Sequence, residues 1–473
     1  MDKRFEEWER EVSSLTEALN KFCRLSEFKF RQNVLGAENT MFDDTDWEVK
    51  KELTWSLKDG IAYFRKKIRF PEKVEGIELT GSPVELRFVF PSGVEVFWDG
   101  RCLYQHKFWA DKLATPLLLP DKVEPDREHL LVFKTSEGDG LGWLWSWFSF
   151  PAVDRALFEI STATAQIKFA QKIQEREQNS LLKKAFGKVC SLINPEVITT
   201  RCWEEIFDSI KKIEKELEPF RPYARKYHVH LIAHSHIDMN WLWNYEDTIS
   251  VCLRDFETVT RLMEEFPDLT FSQSQCHVYK IVEEHNPQLF ERVKKRVKEG
   301  RWEVTATAWV EGDLNMADGE AICRHIMYSM KYNQQHFGIE PRIMWSPDTF
   351  GHPITIPTIL SHAGIKNYYF MRAGNRFRSG EFTHPVFIWE GKDGSQVLAY
   401  NSPYGSSISA EKLIPIAERL RDDYGLTDSM FVYGVGDHGG GPTRKDILNK
   451  KCLQSKPVIP TLSFSPLLNT MIR

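Results

Sequence analysis

The chain has 473 residues, of which 42% are hydrophobic and 13% aromatic, so it can build two or three domains with large cores. Its formal net charge is −5 with acids and bases interspersed, which favours neither a nucleic-acid nor a membrane partner. Eight scattered cysteines without a CxxC pair, a charged amino terminus and no long apolar run predict a cytoplasmic protein with reduced thiols.

Residues 1–225 are predicted to form an amino-terminal accessory domain of helices and a β region. Helices are predicted at 5–22, from 153 to about 184 and at 203–218. Alternating apolar and polar residues over 84–104, around a turn at Pro91, Ser92 and Gly93, predict a β-hairpin. The tryptophan-rich stretch 142–150 could bind sugar, but packing against a neighbouring domain is the favoured interpretation because buried aromatics dominate cores and interfaces.

Residues 226–473 alternate between strand and helix patterns, which indicates an α/β domain with a parallel sheet or barrel covered by helices. Strands are predicted at 228–233, 269–274, 302–308, 342–346, 367–371 and 429–435. Helices are predicted at 245–265, 288–299, 319–337, 354–364 and 407–424.

The most informative segment is HLIAHSHIDMNWLW, at 230–243. An apolar strand ends in His234, His236 and Asp238, and two tryptophans follow. The carboxyl ends of strands are where α/β folds place their chemistry, and an imidazole beside a carboxylate suits a divalent cation such as zinc. Aromatic rings beside such a site suit a sugar. The alternative for this segment alone is a polar turn next to core tryptophans.

Two further segments repeat this pattern, IMWSPDTFGH at 343–352 and FVYGVGDHGGGPT at 431–443. A single acid at a strand end can simply cap the next helix, but three His/Asp clusters at strand ends predict a site. The sequence therefore predicts one metal held by His236, Asp238, Asp348 and His438. Asp437 competes with His438 as the ligand from the third segment.

These segments, with TATAWVEGDLNM at 305–316 and MRAG at 371–374, resemble glycoside hydrolase family 38 α-mannosidases of the bacterial and cytosolic kind. The resemblance covers roughly residues 226–445, in matching order and spacing. It implies a seven-stranded β/α barrel-like catalytic domain and a retaining mannosidase.

The resemblance implies a role for each residue of the predicted metal site. Asp348 would be both a ligand and the nucleophile that forms a covalent glycosyl-aspartate. His236, Asp238 and His438 would complete a site for one divalent metal, zinc, with cobalt or manganese as alternatives. That metal would chelate the 2- and 3-hydroxyls of mannose. The implied partner is a terminal α-linked mannoside of an oligosaccharide or glycan, and a homo-oligomer is left open.

Substrate-binding roles are predicted for Trp241, Arg372, Glu311 and Asp313. Trp241 matches the family's platform under the sugar, and Arg372 matches an arginine beside the nucleophile, where it would keep the carboxylate ionised. Glu311 and Asp313 would bind substrate hydroxyls. His234 is predicted to support the ligands from behind rather than to bind metal itself.

The family's general acid lies beyond the stretch that this sequence covers, so the catalytic domain is expected to be truncated and the chain alone weakly active or inactive. Two alternatives remain: an inactive fragment or mannose-binding remnant, and a metal-dependent carbohydrate deacetylase. The deacetylase is less favoured because such enzymes lack the WSPDTFGH and GGGPT context.

Overall fold

The computed structural model describes residues 3–107, 110–112, 116–138, 141–241, 243–372, 385–436 and 439–468. The chain divides into two compact units, Met1–Arg221 and Pro222–Arg473. Among the described residues, none of the helices is both long and apolar enough to cross a membrane. All eight cysteines lie outside any disulfide.

The first unit contains fourteen described strands, all in antiparallel pairs. They are β1 (Phe28–Gln32), β2 (Glu48–Lys50), β3 (Thr54–Ser56), β4 (Ala62–Arg69), β5 (Lys73–Val74), β6 (Ile77–Glu78), β7 (Pro83–Phe90), β8 (Val94–Trp98), β9 (Arg101–His106), β10 (Ala110–Asp111), β11 (Leu117–Lys122), β12 (Glu128–Thr135), β13 (Leu141–Trp143) and β14 (Trp145–Ser149). One sheet has the order β2-β1-β4-β12-β8-β9, and in a second sheet β7 pairs with β10, β11 and β14. The pairs β3-β13 and β5-β6 stand apart.

The predicted hairpin over 84–104 is wrong in its pairing. The strands form where the alternation places them, but β7 and β8 belong to different sheets, and β8 pairs with β9 and β12 instead. The two sheets pack face to face, since the ring centroids of Phe88 and Phe133 lie 5.4 Å apart. The turn at 91–93 therefore carries the chain from one sheet to the other, because both strands bury an apolar face in the same core.

Helices complete the first unit. They are α1 (Lys3–Cys23), α2 (Pro151–Glu177), α3 (Ser180–Leu192), α4 (Glu196–Thr199) and α5 (Trp203–Leu217), with 3-10 turns at Leu57–Asp59 and Glu218–Phe220. The helical region predicted from 153 to about 184 consists of α2 and the first part of α3. Gln178 adopts a left-handed conformation (φ 47°) and Asn179 caps α3 through Leu181 N–H, so the chain turns between them.

In the second unit the strands are mostly parallel, and a short helix, α6 (Arg221–Ala224), precedes them. The strands are β15 (His228–Ala233), β16 (Phe271–Gln273), β17 (Trp302–Val304), β18 (Ile343–Ser346), β19 (Asn367–Phe370), β20 (Val386–Glu390), β21 (Gln396–Asn401), β22 (Asp428–Tyr433) and β23 (Thr461–Phe464). The helices are α7 (Tyr245–Glu265), α8 (Cys276–His285), α9 (Pro287–Lys298), α10 (Gly319–Phe337), α11 (Ile356–His362), α12 (Ala410–Tyr424) and α13 (Arg444–Ser455).

The α/β class of the second unit is confirmed, but a closed barrel is not found among the described strands. They form three separate groups, β22-β15-β23, β16-β17 and β18-β19-β21-β20, and only β20 runs antiparallel to its neighbour. Side chains from different groups share one buried core that includes Ile232, Trp345, Tyr369 and Val432. This shared core brings the carboxyl ends of β15 and β18 together.

Candidate metal centre

The loops that follow β15 and β18 bring His236, Asp238 and Asp348 into one cluster. His236 Nε2 lies 3.1 Å from Asp238 Oδ1 and 4.0 Å from Asp348 Oδ2. One ligand atom from each residue lies within 4.8 Å of the others. The His236 ring is 1% exposed, while both carboxylates keep partial access to solvent. Two carboxylate oxygens and one imidazole nitrogen thus converge on one point that a substrate can reach.

Asp348 is held from two sides. Its Oδ1 accepts a hydrogen bond from Arg372 Nε, and its backbone N–H donates to Glu311 Oε1 at 2.6 Å. The Arg372 guanidinium also lies 4.2 Å above the Phe350 ring. The carboxylate therefore has one oxygen bound to a fixed cation and the other directed at the His236 side of the cluster.

Glu311 is mostly buried beside the cluster and also lines the cleft next to it. Its side chain is 8% exposed, and Oε2 lies 3.6 Å from His236 Nδ1. Neither of these two buried atoms makes a hydrogen bond. The Glu311 N–H donates to Gln275 Oε1 at 3.0 Å, and Gln275 Nε2 donates to the Ile237 carbonyl at 2.8 Å. Gln275 thus ties the loop after β15 to the loop that carries Glu311.

The electrostatics of the cluster favour a cation. Burial lowers the pKa of His236, but the hydrogen bond to Asp238 and the charges of Glu311, Asp238 and Asp348 outweigh it and raise the pKa to about 9. Burial raises the pKa of Glu311 to about 7, against the opposing effects of His236 and of the Asp348 N–H. Three acids thus surround the His236 imidazole. The protonated ring supplies a positive charge among them, and a bound metal ion would supply that charge instead.

His234 makes hydrogen bonds with both ring nitrogens. Nδ1 donates to the Ser272 carbonyl at 2.9 Å, and Nε2 accepts from Trp345 Nε1 at 3.1 Å. Burial lowers the pKa of His234 to about 3, so the ring is neutral. These contacts leave no ring nitrogen for a metal and place His234 behind the cluster, fixing the end of β15 against β16 and β18.

A cleft of about 220 Å³ opens beside the cluster. Its lining includes Asp238, Asp348, Arg372, Trp241 and Asp313. Trp241 is 54% exposed and stands edge-on to the buried Trp243, with 5.7 Å between ring centroids. A volume below the ~300 Å³ lower limit of drug-sized pockets suits a single sugar ring, and an exposed indole offers it a flat apolar face.

His438 and Asp437 lie outside the described residues, but their neighbours reach the cluster. Gly439 N–H donates to the His236 carbonyl at 2.8 Å, and Gly440 N–H donates to Asp255 Oδ2 at 2.5 Å. Gly439 has φ +76°, and a Cβ there would lie 2.3 Å from Val251 Cγ1, so this turn requires glycine. The backbone of the third predicted segment, at 431–443, therefore contacts the first segment, at 230–243.

The donor set fits a divalent metal ion. His236 presents Nε2 to the two aspartates and Nδ1 to a buried carboxylate, which is the orientation that carboxylate–histidine–metal arrangements require. A nitrogen ligand with carboxylate oxygens suits zinc, cobalt and manganese alike. The geometry therefore supports a metal at this position without selecting which one.

Comparison with known proteins decides the family. A family model described as "Glycosyl hydrolases family 38 N-terminal domain" matches residues 226–469, which is just over half of the chain. The chain belongs to glycosyl hydrolase family 38. The resemblance read from the sequence motifs is thereby confirmed.

Relatives within family 38 match over the same portion. Alpha-mannosidase G of Dictyostelium discoideum is 35% identical over 237 residues, covering 50% of this chain and 22% of that protein. Alpha-mannosidase 2C1 of Homo sapiens is 32% identical, covering 50% of this chain and 23% of its own length. A crystal structure of an alpha-mannosidase from Enterococcus faecalis aligns with a TM-score of 0.44 and 20% identity, covering 52% of this chain and 29% of that one. The matched region thus spans less than a third of each relative.

Sequence reasoning missed several residues that shape this family 38 site. Gln275, Asp255 and Tyr404 lie in none of the predicted strand-end clusters. Asp255 accepts from Ser235 Oγ as well as from Gly440 N–H, and the Tyr404 ring lies 4.6 Å from that of His236. Their patterns are those of ordinary polar or core positions, so only the fold reveals the contacts.

Proposed function

We propose that this chain carries the sugar-binding and nucleophilic part of a retaining α-mannosidase that acts on terminal α-linked mannose in oligosaccharides or glycans. The observation that carries the proposal is the setting of Asp348. It lies at the mouth of the cleft, paired with Arg372 and within 4.0 Å of the buried His236. Membership of family 38 and the names of the related α-mannosidases support the same activity.

In this proposal Asp348 attacks the anomeric carbon of the bound sugar. A carboxylate oxygen forms a bond to that carbon while the glycosidic oxygen leaves with its bonding electrons, and water later releases the sugar from the aspartate. Arg372 binds one oxygen of the Asp348 carboxylate and fixes its plane. The backbone contact from Asp348 N–H to Glu311 Oε1 fixes the position of the nucleophile along the chain.

The proposed metal ligands are His236, Asp238, Asp348 and His438. The metal would supply a Lewis-acid template for the 2- and 3-hydroxyls of the mannose. Asp348 presents Oδ2 to this position while Arg372 holds Oδ1. Glu311, predicted from sequence to bind substrate, lines the cleft, and its buried carboxylate also faces His236 Nδ1, so we propose that it orients that ring as well.

Substrate contacts are proposed for three residues of the cleft. Trp241 offers an exposed ring for the C–H face of the sugar, and Arg372 borders the nucleophile. Asp313 lines the same cleft and is exposed, with Oδ1 accepting from Asn315 N–H at 3.1 Å, so its other oxygen is available to a hydroxyl. Zinc as the metal, a seven-stranded barrel and a cytoplasmic location remain predictions.

The test uses the full chain loaded with zinc and an aryl α-mannoside that has an acidic phenol as leaving group. Such a leaving group departs with little proton donation, so the assay reports on the nucleophile. Wild-type protein should release the phenol, and Asp348→Asn should lower kcat/KM by about 10⁴-fold or more. Asp423→Asn, an exposed acid on α12, is the matched control and should behave as wild type.

A mechanism-based trap separates the nucleophile from a mere ligand. A 2-deoxy-2-fluoro mannosyl fluoride or a 5-fluoro analogue should label one peptide, and mass spectrometry should locate the label on Asp348. Label on Asp313 or Asp437 would contradict the assignment. Mannose binding without any hydrolysis or label in the zinc-loaded chain would favour a binding protein over an enzyme.

A further inference from the structure

A second cluster of metal-ligating side chains lies at the opposite, amino-terminal end of β15. His228 and His230 of β15 face the same side, with ring centroids 3.9 Å apart. Asp428, the first residue of β22, pairs in register with His228. Its Oδ1 lies 3.1 Å from His230 Nε2 and 3.4 Å from His228 Nδ1. Two imidazole nitrogens thus meet at one carboxylate oxygen.

These separations match those between the ligands of a tetrahedral ion. Zinc bound about 2.0 Å from nitrogen and oxygen ligands places neighbouring ligand atoms about 3.3 Å apart. The cluster of His228, His230 and Asp428 already has its ligand atoms within 4.8 Å of one another. A cation could therefore enter with small side-chain adjustments.

The remaining ring nitrogens are already provided with partners. His228 Nε2 lies 2.7 Å from Ser463 Oγ, and His230 Nδ1 lies 2.9 Å from Ser465 Oγ. The two serine hydroxyls, which flank Phe464 near the end of β23, are 3.0 Å apart. A ligating histidine characteristically donates its second N–H to an oxygen, which fixes its tautomer and ring plane. Both histidines meet that requirement here.

The position beside Asp428 is open to a cation from solution. Among the described residues, no lysine or arginine forms an ion pair with Asp428. The cluster of Asp99, Asp121 and His129 in the first unit differs, because Arg127 lies 3.6 Å from Asp121. The Asp428 and His228 side chains are 40% and 26% exposed, so water can reach the cluster and complete a coordination shell.

We propose that His228, His230 and Asp428 form a second site for a divalent transition-metal ion, with zinc as the expected occupant. His228 Nδ1, His230 Nε2 and Asp428 Oδ1 are the ligands, and water fills the open positions. The ion clamps the start of β15 to the start of β22, while Ser463 and Ser465 connect β23 to the same site. Its role is structural, and it does not depend on the proposed mannosidase activity.

The test is a titration of the metal-stripped full chain with cobalt(II) chloride, followed by calorimetry and visible absorption. Wild-type protein should bind two equivalents. His228→Gln and Asp428→Asn should each remove one, His236→Ala should remove the other, and His228→Gln with His236→Ala should bind none. A single equivalent in wild type that His236→Ala abolishes would overturn the second site, as would unchanged titrations of both His228→Gln and Asp428→Asn.

Ser463→Ala keeps all three ligands and guards against misfolding of the ligand variants. Loss of a hydrogen-bond partner behind a ligating histidine typically weakens metal binding by about 10–100-fold. The affinity should fall in this way only for the cobalt ion whose binding His228→Gln abolishes. Equal affinity in Ser463→Ala and wild type, with ligand variants that retain the wild-type circular dichroism and still bind two equivalents, would overturn the second site.

Discussion

The two ends of β15 carry the same kinds of side chain in opposite settings. At the carboxyl end, His236 is buried among Asp238, Asp348 and Glu311, beside an arginine and an open cleft. At the amino end, His228 and His230 face a single Asp428 and two serines. The difference teaches that ligand type alone does not make a reactive site. Only the carboxyl end adds excess negative charge, an aromatic platform and room for a sugar.

The strongest test of this contrast removes one histidine at each end. His236→Ala should lower kcat/KM for an aryl α-mannoside by at least ~10³-fold, because it removes a proposed metal ligand and leaves three acids unbalanced. His228→Gln should keep kcat/KM within about twofold, since the two ends of a six-residue strand are roughly 17 Å apart. Similar losses in both variants would mean that the ends are not functionally separate.

The carboxyl-end site should also protect a thiol beneath it. Cys276 begins α8, directly after Gln275, and burial raises its pKa to about 12. Such a thiol is only about one ten-thousandth ionised at pH 8, and its ionised fraction rises tenfold per pH unit. Iodoacetamide should alkylate Cys276 at least ~10²-fold more slowly than the exposed Cys323 of α10.

Peptide mapping after timed alkylation measures this protection, with Cys323 as the internal reference. Disruption of the carboxyl-end site by His236→Ala should raise the relative rate at Cys276, whereas His228→Gln should leave it unchanged. Comparable rates at Cys276 and Cys323 in the wild type would show that the site does not cover α8.

A smaller effect is expected from Glu311, the acid that faces Nδ1 of the proposed metal ligand His236. Glu311→Gln keeps an oxygen for the Asp348 N–H but removes the charge that faces His236 Nδ1. Metal affinity at this site and kcat/KM should fall together, by about 10–100-fold. Glu340→Gln, an acid outside the cleft, is the matched control. A rise in KM with unchanged metal affinity would instead restore the substrate-binding role predicted from the sequence.

The smallest effect should come from the amino end in the absence of metal. Ser463→Ala removes a partly buried partner of His228, and water can replace it there. The free energy of unfolding in urea should change by less than about 1 kcal/mol. A much larger change would mean that the serine supports the fold itself. The fraction of folded Ser463→Ala protein would then have to be measured at each point of the cobalt titration.

The sequence by itself determined the family, the α/β class and the strand ends that carry the proposed site. Periodicity placed β15 and α7 at their observed bounds, because amphipathic helices and fully apolar strands leave local signals. His236, Asp238 and Asp348 could be singled out because each follows an apolar strand within a distinctive motif. Asp348 and His236 are 112 positions apart, yet both were found from local pattern alone.

Tertiary structure decided the pairings and the supporting contacts. Whether β8 pairs with β7 or with β12 depends on which faces share a core, and no local alternation encodes that choice. Glu311 reads as a substrate ligand in its loop, but the fold buries it against His236. The amino-end cluster has no motif at all, since His228, Asp428 and Ser463 meet only through the parallel register of β22, β15 and β23. Register is a long-range property, because it is set by packing between distant segments rather than by neighbours in the chain.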